Sequence, residues 1–113
     1  MPVTRRKKVA PQKIQSIVER YARELRARHI HFEGMYLFGS HAKGTSRTLS
    51  DIDIAVVVKR LPKKYFEEKA LLWGATRNVD TRIEPILIEE RDLHGDTPNP
   101  IAWEVYTTGI RIE

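Results

Sequence analysis

Seven residues, "IDIAVVV" from Ile52 to Val58, constrain the fold more than any other stretch. Four of the seven are Ile or Val at alternating positions, and turn residues precede them, which predicts a β-strand. Side chains on a strand alternate between faces. Ile52, Ile54, Val56 and Val58 therefore form one aliphatic face, while Asp51, Asp53, Ala55 and Val57 share the other. The aliphatic face is expected to lie against helices. The carboxylates are left on the less covered side, two like charges at the head of a strand.

The rest of the chain reads as an α-β-(loop or α)-β-α-β-α-β order. Gln12 to about His29 carries Ile14, Ile17, Val18, Tyr21 and Leu25 at helical spacing behind Pro11. Met35–Phe38 is a short apolar strand ended by Gly39. After Pro62 a helix is predicted with Phe66, Ala70 and Trp73 on one face. "TRIEPILI" is a third strand, and Pro85 marks it as an edge or a bulge. Pro98 and Pro100 open a short helix to Thr108, followed by a terminal strand "IRI". The expected class is α/β (α+β): a small mixed sheet with helices packed mainly on one face.

Composition narrows the function. The 113 residues suit one core, with 41% apolar and 31% charged residues and no cysteine, so disulfides, thiolate metal sites and a cysteine nucleophile are excluded. No apolar run approaches the roughly 20 residues of a membrane span, and a cytoplasmic protein is expected. The net charge of +5 resides in residues 1 to 13, where Arg5, Arg6, Lys7, Lys8 and Lys13 meet no acid; the remaining charges cancel. Residues 1–11 are thus expected to be a basic, flexible tail before a domain at 12–113, and nucleic acid is not the expected partner of the folded body. His29, His31, His41 and His94 lack metal-ligand spacing and are expected at the surface. Trp73 and Trp103 are expected in a core or an interface.

The two aspartates repel each other, and a hard divalent cation such as Mg²⁺ relieves that repulsion. Magnesium completes its shell with substrate phosphates, so a triphosphate becomes the natural ligand. Upstream, Gly39 lets backbone approach closely, and Ser40 offers a hydroxyl and an amide to a phosphate. Lys43 and Arg47 in the same loop can offset its charge. A P-loop is excluded, because in "GSHAKGT" Lys43 precedes Gly44.

"FGSHAKGTSRTLSDIDIAV" resembles the signature of the polymerase beta-type nucleotidyltransferase superfamily: Gly-Ser, ten residues, Asp-x-Asp. The short chain and its ending "NPIAWEVYTTGIRI" further resemble the minimal nucleotidyltransferases, antitoxin partners of HEPN-domain toxins. The resemblance implies a third carboxylate from a neighbouring strand, best matched by Glu84, with Asp80 a weaker candidate ahead of the strand. It implies that Asp51, Asp53 and Glu84 hold two Mg²⁺ ions, typically ~3.5–4 Å apart. Gly39, Ser40, Lys43 and Arg47 would bind ATP, and AMP would pass to a tyrosine hydroxyl of a HEPN-type toxin. An occluding antitoxin with little activity is the alternative, and a nucleic-acid module using the basic tail is the third class. Because Ala55 and Val57 share the carboxylate face, and Ile86 and Ile88 share a face with Glu84, a toxin or a second copy of this chain is expected to cover that side.

Overall fold

The computed structural model describes residues 10–47, 49–95 and 98–113, so the basic segment before Ala10 lies outside the described residues. Ala10 itself is packed into the core. The elements are α1 (Gln12–Ala27), β1 (Gly34–Phe38), α2 (Ser40–Lys43), β2 (Ile52–Val58), α3 (Tyr65–Thr76), β3 (Ile83–Glu89), α4 (Glu90–Leu93), α5 (Pro100–Thr108) and β4 (Ile110–Arg111). The sheet order is β3-β2-β1-β4. β1 runs antiparallel to β2 and β4, whereas β2 and β3 are parallel and joined through α3. Only α4 has no counterpart in the sequence reading. The sheet is mixed, and Pro85 lies on its edge strand, where a missing N–H costs no ladder bond.

Strand parity decides the layers. Ile52, Ile54 and Val56 of β2 join Met35 and Leu37 of β1 and Ile83 of β3 beneath α1 and α3. α1 contributes Ile14, Val18, Tyr21, Ala22 and Leu25 to this larger core, the stripe expected from the spacing. Tyr21 is wholly buried, and its hydroxyl donates to the Leu72 carbonyl of α3 at 2.7 Å, tying the two helices together. Burial also drives the Tyr21 phenol above its ordinary range.

Two expectations are corrected. In α3 the buried side chains are Leu72, Ala75 and Thr76, while Phe66 is 80% and Trp73 41% exposed. The helix carries apolar residues around much of its circumference, and the stripe with the bulkier rings faces outward. Spacing alone could not choose between two apolar stripes. Second, no other chain is needed to cover Ala55, Val57 and Ile88: they are buried against Leu93, Ala102 and Val105 of α4 and α5, with Ile86 partly buried beside them. Asn99 starts α5 by accepting from the Ala102 N–H at 3.1 Å, with Pro100 in the first turn. The two longest helices still share the opposite face. Trp103 of α5 is 66% exposed and lies outside either core.

Candidate functional site: three carboxylates against a glycine turn

The site forms where β1 ends and β2 begins. Antiparallel pairing sets Phe38 opposite Asp53, so the residue after Phe38 must turn directly over that aspartate. Gly39 does so at φ 74°, ψ −152°, a backbone conformation essentially confined to glycine. A Cβ at position 39 would run into Asp53 Oδ2. The turn that the sequence reading assigned to phosphate binding is therefore pressed against the carboxylate assigned to metal binding. Ser40 opens α2, and the N–H groups of Ala42 and Lys43 close back on the Gly39 carbonyl at 3.1 Å.

The third acid arrives by register. β2 and β3 pair with Asp53 opposite Glu84, and Pro85 follows as a buried residue on the other face. The Glu84 carboxyl is raised above the ordinary range by burial first, then by the charges of Asp51 and Asp53 and by side-chain hydrogen bonding with them. Asp53 is also raised, by burial first, then by repulsion from Asp51 and Glu104; His41 and the hydrogen bond from Glu84 oppose the shift. The three acids thus lie close enough for the charges of Asp51 and Asp53 to act on Glu84, and that of Asp51 on Asp53.

Asp80, the weaker candidate, is held elsewhere. Its carboxylate accepts from Arg82 N at 2.9 Å, Nε at 3.1 Å and Nη2 at 2.8 Å, and these bonds lower its pKa. Lys43 lies next to the site but is engaged: its Nζ meets Glu104 Oε1 of α5 at 2.7 Å. Arg47 is exposed in the loop, where its backbone N–H donates to Ser50 Oγ at 2.7 Å. Two residues near the acids escaped the sequence reading. Glu104 carries no local signal, because only packing of α5 brings it towards Asp53. His41, expected at the surface, is buried with Nε2 at 3.2 Å from the Ser50 carbonyl; its place directly after Gly39-Ser40 was the available clue.

Carboxylate oxygens that repel one another are the donor set a hard divalent cation requires. Among the described residues no ready-made array of three or more His, Cys, Asp or Glu ligands is arranged around a metal position. The chemistry of the set fits magnesium.

Residues 12–113 match the family described as Polymerase beta, Nucleotidyltransferase. The chain belongs to that family. A protein of Methanocaldococcus jannaschii named as a protein adenylyltransferase is 37% identical over 75 residues, which span 63% of this chain and 51% of the relative. The chain thus matches about half the length of that curated relative. A toxin–antitoxin crystal structure with AMP-PNP aligns at a TM-score of 0.61 and 23% identity, covering 88% of this chain and 72% of that one. A complex of tri-AMPylated Shewanella oneidensis HEPN toxin with its MNT antitoxin aligns at 0.58 and 21% identity, covering 88% and 71%. At these identities the structural likenesses establish the fold of this family member. Among the described residues no helix is long and apolar enough to cross a membrane.

Proposed function

We propose that this family member transfers AMP from ATP to a tyrosine hydroxyl of a HEPN-type toxin and so acts as its antitoxin. The observation that carries the reading is the contact of Gly39 with Asp53, which joins a phosphate-binding turn to a carboxylate trio in one site. The name of the curated relative and the contents of the two toxin–antitoxin crystals support the choice of adenylyl group and partner.

Asp51, Asp53 and Glu84 would hold two magnesium ions, which when bound supply charge neutralisation for the triphosphate. Ser40 presents its hydroxyl and amide to a phosphate oxygen, with Gly39 leaving room. Lys43 exchanges Glu104 for the incoming phosphates, and Arg47 adds charge from the loop. The acceptor oxygen attacks the α-phosphorus while the bond to pyrophosphate breaks, and the hydroxyl proton passes to Glu84 in its ionised form. Catalysis on this plan is mainly positioning and charge compensation.

A second reading has its own observation. Lys43, the basic residue beside the turn, is already paired with Glu104, an arrangement that also suits an antitoxin working by occlusion. Labelled ATP, Mg²⁺ and a HEPN-type toxin separate the two. Label on a toxin tyrosine, lost in Asp53→Ala and Glu84→Ala, supports transfer. Neutralisation that survives in Asp53→Ala without label supports occlusion and overturns transfer.

A further inference from the structure

The ten residues between Ser40 and Asp51 must hold two halves of a site in register, yet little of that loop is anchored by packing. Lys43 to Arg47 and Leu49 are exposed. Asp53 needs no help from the loop, because it lies within β2 and pairs with both Phe38 and Glu84. Asp51 is different. It lies one residue before β2 begins, so its place depends on where the loop delivers it.

One buried side chain joins the two ends. His41, only 7% exposed, places Nε2 at 3.2 Å from the carbonyl of Ser50, the residue before Asp51. A carbonyl oxygen only accepts, so the ring must carry its proton on Nε2. Ser50 is itself part of a closed turn: its N–H donates to the Arg47 carbonyl at 3.0 Å, and its Oγ accepts from the Arg47 N–H at 2.7 Å. The imidazole therefore grips the end of a compact turn, from a position directly after the phosphate-binding serine.

We propose that His41 is a positioning residue, which sets Asp51 against Ser40 by donating from Nε2 to the Ser50 carbonyl. This deepens the transfer reading above and rests on it. Leucine at 41 keeps the buried apolar bulk and loses the donor. Glutamine keeps an N–H donor at similar reach.

The test compares His41→Leu and His41→Gln by transfer kinetics, and by amide exchange at Ser50 and Asp51 on the full chain. In His41→Leu, kcat is expected to fall about 10–100-fold, the scale of a misplacement of order 1 Å, with KM for ATP moving less than about 3-fold. His41→Gln is expected to restore kcat to within about 3-fold, a rescue that a purely space-filling role would not give. Exchange at Ser50 and Asp51 should rise in the leucine variant and not in the glutamine variant. Equal kcat in the two variants, or unchanged exchange in leucine, overturns the proposal. Nitrogen NMR of the wild-type ring gives an arm free of mutational damage: an unprotonated Nε2 overturns it outright. If no protein transfers AMP yet the exchange and NMR results hold, the transfer reading fails and the positioning role stands.

Discussion

Alanine at position 39 would strain the backbone and collide with an acidic side chain at once. At φ 74°, ψ −152° an L-residue incurs about 1–3 kcal/mol of backbone strain. The new Cβ would meet Asp53 Oδ2, with Asp53 Cγ at 3.0 Å and Cβ at 3.3 Å behind it. The carboxylate has to rotate away or β1 and β2 have to part, and rotation is limited because Asp51 and Glu104 already repel Asp53. For a domain of this size 1 kcal/mol corresponds to about 4–8 °C, so Gly39→Ala is expected to melt about 5–15 °C below wild type. Transfer activity is expected to fall by about 100-fold, as the carboxylate leaves its place. Stability is then measured for Gly39→Ala in an Asp53→Ala background, where the oxygen is gone and the backbone strain remains. The cost there should be smaller by about 0.5–2 kcal/mol, the coupling of directly touching residues. A wild-type cost below about 0.5 kcal/mol would refute the positive φ. Zero coupling would refute the contact with Asp53.

The face assignment of α3 predicts a contrast: Leu72→Ala should cost about 2–5 kcal/mol, and Phe66→Ala should stay within about 0.5 kcal/mol, by urea unfolding. The reverse order would restore the face that helical spacing favoured. Asp80, bound to Arg82, has a folded pKa below its ordinary 3.8, so its contribution is complete above that value and is lost as pH falls through the lowered one. Asp80→Asn should therefore destabilise at neutral pH, by up to about 1 kcal/mol for a partly exposed pair, with the difference from wild type closing in acid. A difference that grows in acid would contradict the pairing.

Much of the chain was legible in one dimension because its information is periodic or local. Alternation in "IDIAVVV" assigned the faces of β2, and pairing then placed its neighbours around the same acids. Gly39-Ser40 and Asp51-x-Asp53 were readable because a turn and a strand head each demand particular residue types. The element order followed from proline and glycine punctuation.

Other features belong to contacts between distant segments, which no local pattern encodes. Which stripe of α3 turns inward depended on the shape of the surface offered by α1 and β3. The cover over Ala55 and Val57 came from α5, some fifty residues further along the chain, and the same packing paired Glu104 with Lys43. Glu84 was readable as a strand carboxylate, yet only parallel register brought it opposite Asp53. His41 shows the division most plainly. The sequence determined that a histidine follows the Gly39-Ser40 turn; only the folded loop buried its ring and set Nε2 against the Ser50 carbonyl, because burial leaves a polar atom to find its partner within the protein.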